Sequence, residues 1–157
     1  MPAPIASPRP SAKPILLGGL LAGLGDLIFA FTFYGRKLSV FQGVAGGLIG
    51  RDVARAGGVP TFLLGIALHF VIATIWASLF WIASRRWPLL VKHPIPSGLA
   101  YGLVVFYGMN SIVLPLSALH TNGWPPPVAP WPMAMHMLVV GLPIALVARA
   151  FSSQPHF

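Results

Sequence analysis

Four long apolar runs divide the chain, and each is bounded by proline, glycine or basic residues. The runs cover residues 15–34, 61–84, 96–117 and 133–151. A helix needs about 20 apolar residues to cross a hydrocarbon core of about 30 Å. None of the runs has the alternating pattern of a transmembrane β-strand, so the pattern indicates helices. The sequence therefore predicts an all-α integral membrane protein, built as a bundle of four transmembrane helices.

A shorter segment, residues 40–56, separates the first two runs. Its apolar residues recur at helical spacing, while glycine and polar residues occupy the other side. Ser39 followed by Gln42 matches a capping box, and Gly57 with Pro60 predicts a stop. The segment is too short to span a bilayer. We expect an amphipathic helix that is either interfacial or re-entrant.

The ends of the chain and one connection have a different composition. Residues 1–14 are rich in proline and small residues and predict a disordered tail. A second short tail is expected at 152–157, which leaves 15–151 as a single transmembrane domain. The proline-rich connection 118–132 predicts a rigid turn between the last two spans.

Composition supports a membrane protein and excludes several chemistries. Hydrophobic residues make up 56% of the chain and charged residues only 8%. The net charge is +8, but the bases flank apolar runs as lipid-headgroup anchors do, so no nucleic-acid partner is expected. The lipid bilayer is the expected partner. The absence of cysteine excludes disulfides and thiolate chemistry.

The distribution of basic residues predicts an orientation. With the N-terminus in the cytoplasm, most of the bases lie inside. The inner residues are Arg9, Lys13, Arg85, Arg86, Lys92 and Arg149, and the outer ones are Arg36, Lys37, Arg51 and Arg55. Tryptophans at both ends of the spans fit interfacial belts. These are Trp76, Trp81, Trp87, Trp124 and Trp131.

Each span carries one strongly polar side chain. In chain order they are Asp26, His69, Asn110 and His136. At 1.5 Å per residue they lie about 12, 12, 10 and 5 Å from span ends on the same side of the membrane. The four residues therefore form a layer in one leaflet. Asp26 is the strongest functional candidate, because an ionised carboxylate in hydrocarbon is costly unless it is paired or hydrated.

Small residues share helix faces with this layer and mark close helix packing. The glycines are Gly19, Gly23, Gly65, Gly98 and Gly102. We expect Asp26, His69 and Asn110 to meet inside the bundle. These groups could serve only to fix helix register by bonding to one another. Alternatively, an aspartate and histidine able to exchange a proton could form part of a pathway or a ligand site.

The connection before the last span lies on the same side as the polar layer. His136 is the layer residue nearest a span end, and His120 and Trp124 lie within the connection. We expect these residues to form the mouth of the layer or a gate over it.

Three functions fit these features. The first is a small transporter or channel-like component for protons or a small solute. The second is a structural or assembly partner, as a homo-oligomer or with another membrane protein, through the glycine-rich faces. The third is a haem or divalent-metal protein that uses His69 and His136. No cofactor is expected under the first two, and no nucleophile motif, phosphate loop or paired carboxylate favours an enzyme.

Four blocks together resemble a family of small, uncharacterised bacterial inner-membrane proteins. The blocks are FQGVAGGLIG at 41–50, GIALHFVIA at 65–73, YGLVVFYGMNSIVLPLS at 101–117 and VGLPIA at 140–145. The resemblance covers about residues 15–150. It implies a four-span protein of the bacterial cytoplasmic membrane and brings no established activity with it.

Overall fold

The computed structural model describes residues 12–34, 38–123, 125 and 127–152, and this part of the chain is helical with no strand. The helices are α1 Lys13–Phe33, α2 Ser39–Ile49, α3 Arg51–Ala56, α4 Gly58–Arg86, α5 Leu89–Lys92, α6 Pro94–Leu116 and α7 Pro130–Ser152. Four of them, α1, α4, α6 and α7, are long and apolar enough to cross a membrane. This confirms the prediction of an all-α, four-span bundle.

Proline marks the beginning of three of the spans. Pro14, Pro94 and Pro130 lie in the first turns of α1, α6 and α7. Proline suits these positions because its missing N–H would have no partner inside the helix. Two spans begin three residues earlier than expected: the second begins at Gly58 rather than at residue 61, and the last begins at Pro130 rather than at residue 133.

The segment 40–56 was predicted as one helix, and that is wrong. The structure has two short helices, α2 and α3, separated at Gly50, whose φ is +85°. This backbone conformation is easy only for glycine. The predicted capping box is also wrong, because Ser39 makes no capping hydrogen bond.

Gln42 does not cap α2 but hydrogen-bonds to the beginning of α4. Its Nε2 donates to the Gly58 carbonyl at 3.0 Å and to Thr61 Oγ1 at 3.4 Å. Thr61 Oγ1 in turn donates to the Ala54 carbonyl at 2.6 Å. Gln42 and Thr61 are both buried. This chain of hydrogen bonds fixes α3 relative to α2 and to the beginning of α4.

Helix α2 packs along the first half of α4 and is part of the bundle. Its inner face carries Phe41 and Ala45, which are almost fully buried, while Leu48 in the last turn is 60% exposed. A Cβ on Gly65 of α4 would overlap the Phe41 carbonyl. Only glycine therefore permits this approach of α2 to α4.

The spans are arranged in the order α4, α1, α7, α6. Helix α1 packs on α4 and α7, and α7 packs on α6. The other predicted packing glycines line these contacts: a Cβ on Gly19 would lie 2.7 Å from Thr74 Cα, and one on Gly98 would lie 2.8 Å from Leu142 Cα. Gly23 faces Phe70, and Gly102 faces Met137. Every predicted packing glycine is therefore used within the chain.

One end of the bundle is a dry apolar core, at the beginning of α1 and the ends of α4 and α7. Helix α5 closes this end with Val91, which is fully buried. Trp81 belongs to the core at 4% exposure, beside Phe80. The prediction that Trp81 lies in an interfacial belt is therefore wrong, whereas Trp87 is largely exposed. The outward face of α1 is apolar, as expected for contact with lipid.

A matched pair of glycine substitutions tests the docking of α2. We expect Gly65→Ala to lower the free energy of unfolding by about 1–3 kcal/mol, because the new methyl group overlaps the backbone of α2. A Cβ on Gly43, on the open face of α2, meets nothing within 4 Å. Gly43→Ala is therefore expected to be neutral or to stabilise by up to about 1 kcal/mol. Thermal unfolding in detergent measures both, and equal losses would contradict the packing.

Candidate functional site

A cavity of about 300 Å³ occupies the end of the bundle opposite the dry core. Side chains from α1, α2, α4, α6 and α7 line it, and they include Asp26, His69, Asn110 and His136. The structure thus brings the whole predicted polar layer to one cavity. The remaining lining is mostly apolar, and Tyr34 extends the cavity to the end of α1.

Aromatic residues form two walls of the cavity. Phe41 of α2 lines it and lies edge-on to the His69 ring, with 6.3 Å between ring centroids. Trp76 lines the side nearer the dry core, where its Nε1 donates to Met109 Sδ at 3.3 Å. Tyr101 donates its hydroxyl to the Trp76 carbonyl at 2.6 Å and holds that turn of α4 against α6. The cavity is thus closed toward the core by fixed aromatic side chains.

Sequence reasoning missed both walls. Trp76 was placed in an interfacial belt, which is wrong, and Phe41 was treated only as part of an amphipathic face. The spacing of Trp76 carried a usable signal, because it lies seven residues after His69 and so on the same helix face. Nothing local indicated Phe41, whose position depends on how α2 folds back onto α4.

His69 connects α4 to α1 through the backbone. Its Nε2 lies 2.8 Å from the Gly23 carbonyl oxygen. A carbonyl can only accept, so His69 Nε2–H donates and the neutral ring keeps Nδ1 as a free acceptor. The histidine therefore fixes the position of α4 relative to α1 and still offers one nitrogen for binding.

His136 has the opposite arrangement. Its Nδ1 lies 2.8 Å from the carbonyl oxygen of Pro132, one turn earlier in the same helix. Nδ1–H therefore donates, and Nε2 remains the acceptor of the neutral ring. The His136 ring also packs edge-on against Phe106, with 5.4 Å between centroids. In each histidine of the cavity, one ring nitrogen thus donates a hydrogen bond to a backbone carbonyl, and the other has no such bond to the backbone.

Asn110 and His136 lie in segments of π-helix, Met109–Val113 in α6 and His136–Gly141 in α7. Asn110 Nδ2 donates to the carbonyl of Phe106 at 2.8 Å, so its amide oxygen is left as an acceptor. Turns of π-helix inside longer helices are frequent at functional sites. One residue from each π segment, Asn110 and His136, lines the same cavity.

Proline explains both π segments. Leu114 donates to the Met109 carbonyl and Leu142 to the Met137 carbonyl, each five residues back. The next residues are Pro115 and Pro143, which have no N–H to continue the ladder. The π segments were not predicted from the sequence, although proline inside a span was a usable signal.

Asp26 differs from the other three residues because nothing in the described part of the chain bonds to it. Its side chain is partly exposed to the cavity and has no hydrogen bond or ion pair there. No lysine or arginine is among the described residues that line the cavity. Among the described residues, Asp26 is thus the acidic group of a mostly apolar cavity, which the rings of His69 and His136 also line.

The predicted gate residues are not brought to the cavity. His120 is exposed in the connection after α6, has a φ of +46°, and does not line the cavity. Its assignment to the mouth is therefore wrong. Trp124 lies outside the described residues. The connection does fold back onto α2, where the Ala118 N–H donates to the Gly47 carbonyl at 2.9 Å.

Within the described residues, no group of three or more His, Asp or Glu side chains is placed to hold a metal ion. His69 and His136 nevertheless line the same cavity, and each has its other nitrogen oriented by a carbonyl. Such an acceptor is the usual outer partner of a metal-binding histidine.

No family model, no curated protein and no solved structure matches the chain. The resemblance to small bacterial inner-membrane proteins therefore stays a prediction. The candidate site depends on the geometry of the cavity alone.

The hydrogen bonds predict opposite tautomers for the two cavity histidines. We expect ¹⁵N NMR of the protein in detergent to show Nε2–H for His69 and Nδ1–H for His136 at a pH where both are neutral. His93 and His120 are exposed and serve as controls that should average between tautomers. An Nδ1–H tautomer at His69 would contradict the contact with Gly23.

Proposed function

We propose that the protein is a small membrane transporter that binds a proton or a small organic cation at Asp26. One observation carries the proposal: a carboxylate with no partner among the described residues lies in a cavity that all four spans line, at a depth where charge is costly. Ionisable residues inside membranes that have no structural partner are by default candidates for transport or ligand binding.

A purely structural role accounts for the layer less well. If these residues only fixed helix register, they would hydrogen-bond to one another across helices. Instead, His69, His136 and Asn110 each donate to a backbone carbonyl. Only the His69 bond joins two spans, and Asp26 takes part in none of them. Register can be maintained without the carboxylate, so its presence favours a ligand.

The lining supports a cation as that ligand. The described residues bring a carboxylate and two imidazole acceptors to the cavity and no lysine or arginine. Trp76 and Phe41 add aromatic rings to the lining, and the face of such a ring attracts a cation through its quadrupole. A volume of about 300 Å³ is at the small end of ligand pockets, so the solute is small. Because most of the lining is apolar, the solute is also largely apolar apart from its charge.

Proton and cation would compete for the same carboxylate. Protonation of Asp26 removes the charge that attracts the cation, and protonation of His69 or His136 adds charge that repels it. All three changes weaken cation binding at lower pH. A protein with this property can exchange protons for a cation across a membrane.

The alternative of an assembly partner depended on glycine-rich faces that are free to bind other helices. Those glycines are occupied within the chain, for example Gly19 by Thr74 and Gly98 by Leu142. The alternative therefore loses its motivating observation. It would gain support from purification of the protein in a stable complex.

A metal or haem protein is the second candidate, favoured by the carbonyl-oriented rings of His69 and His136. In that case the free Nδ1 and Nε2 atoms would be the ligands. Visible absorption and metal analysis of the purified protein test this directly, and a colourless, metal-free sample would exclude it.

We further propose that the protein resides in a bacterial cytoplasmic membrane with its N-terminus inside. The support is the excess of basic residues on that side and the resemblance of the four sequence blocks.

The two acidic residues of the chain provide the test of transport. We expect Asp26→Asn to weaken binding of benzyltrimethylammonium, a quaternary cation that cannot itself carry a proton, by at least about tenfold. Asp52→Asn is the matched control, because Asp52 is exposed and does not line the cavity. Calorimetry on the detergent-solubilised protein measures binding, and lower pH should weaken it in the unmodified protein.

In proteoliposomes, a trapped pH dye reports whether inward movement of the cation drives protons outward. We expect this exchange in the unmodified protein and in Asp52→Asn, and its loss in Asp26→Asn and His69→Ala. Equal binding and equal flux in all four proteins would refute the proposal.

A further inference from the structure

A second cavity, of about 260 Å³, lies outside the polar layer, where α2 meets α3. Its lining consists of Ser39, Gln42, Gly43, Gly46, Arg51, Arg55 and Leu119. The site is separate from the candidate transport cavity, with which it shares no lining residue.

Two guanidinium groups dominate this second cavity. Arg51 and Arg55 are one helical turn apart on α3, so they share a face, and both line the cavity. Like charges at this spacing destabilise a helix. Neither has an ion pair or hydrogen bond among the described residues.

The chain has almost no means of neutralising these charges. Its only acidic side chains are Asp26, in the other cavity, and Asp52, which is exposed and does not line this one. None of the described side chains therefore places a negative charge in this cavity, which suits it to an anion from outside the protein.

Hydrogen bonds and close packing between helices fix the walls of this second cavity. Gln42 is 8% exposed, lines the cavity and donates to the Gly58 carbonyl, while Thr61 bonds to the Ala54 carbonyl. A Cβ on Gly46 would lie 3.3 Å from Leu119 and 3.5 Å from Arg51 Cα, so α2, α3 and the connection meet closely here. The helix that carries the two arginines is thus fixed relative to α2 and α4, which lowers the entropic cost of binding a ligand.

We propose that this cavity binds a phosphate group, with the guanidinium groups of Arg51 and Arg55 as its charged donors and the Ser39 hydroxyl as a further donor. Arginine suits phosphate because its planar fork can donate two parallel hydrogen bonds. The site lies just before α4 begins at Gly58, at the end of a membrane span, where phospholipid head groups are concentrated. Its source of phosphate is either an anionic lipid head group or free phosphate.

Binding to the purified protein in detergent micelles tests the proposal. The probes are phosphatidylglycerol, inorganic phosphate alone, and phosphatidylcholine, whose ammonium group cancels the phosphate charge. We expect the double variant Arg51→Gln, Arg55→Gln to weaken binding by at least about tenfold. Native mass spectrometry for the lipids and calorimetry for phosphate measure the affinities.

A second variant blocks the cavity without changing the charge. Gly43 lines the cavity and a Cβ there meets nothing within 4 Å, so Gly43→Leu adds a bulky side chain at the cavity wall and keeps both arginines. We expect it to weaken phosphate binding as the arginine variant does, while Gly43→Ala binds normally. Arg85→Gln, Arg86→Gln is the matched charge control at the other end of α4.

The probes distinguish the two sources. Binding of phosphatidylglycerol with no effect of inorganic phosphate assigns the cavity to a lipid head group, and competition by inorganic phosphate assigns it to free phosphate. The proposal is overturned if Gly43→Leu binds like Gly43→Ala, or if the variant at Arg85 and Arg86 loses as much affinity as the variant at Arg51 and Arg55.

Discussion

Hydrocarbon cannot solvate a carboxylate, so an aspartate within a membrane-spanning helix needs water, a counter-charge or a proton. Asp26 has no counter-charge among the described residues. The bundle is built to meet this constraint: one end is packed dry around Phe80 and Trp81, and the other end is hollow around the carboxylate. Helix α2 folds back onto α4 and supplies Phe41 as a wall of the hollow end.

The hollow end depends on local departures from regular helix. Pro115 and Pro143 interrupt the backbone ladders of α6 and α7, and a π segment precedes each of them. Asn110 and His136 lie in those segments and line the cavity. Close packing at glycines such as Gly102 holds the same helices together nearby. Tight backbone contact at Gly102 thus occurs at the π segment of α7 itself, so the cavity forms without loosening the bundle.

Span positions and the depths of polar residues were predictable because they follow from helix rise and bilayer thickness, which are local properties. For this reason Asp26 and His69 could be selected from sequence, and the structure has both lining one cavity. Three features could not be predicted from the sequence, because each is decided by contacts between distant segments. They are the break at Gly50, the docking of Phe41 and the inward position of Trp76. A tryptophan near a span end fits a lipid interface as well as a cavity wall, and only tertiary packing distinguishes the two.

The central claim is that water and solutes reach Asp26 through the cavity. The chain has no cysteine, so a single one can be introduced without background labelling. Ala30 lines the cavity, and Ile28, about 3 Å away along α1, faces outward at 54% exposure. The measurement is the reaction rate of each cysteine variant with a membrane-impermeant thiol reagent in liposomes. The account predicts that Ala30→Cys reacts much faster than Ile28→Cys, and equal rates, or an unreactive Ala30→Cys, would contradict it.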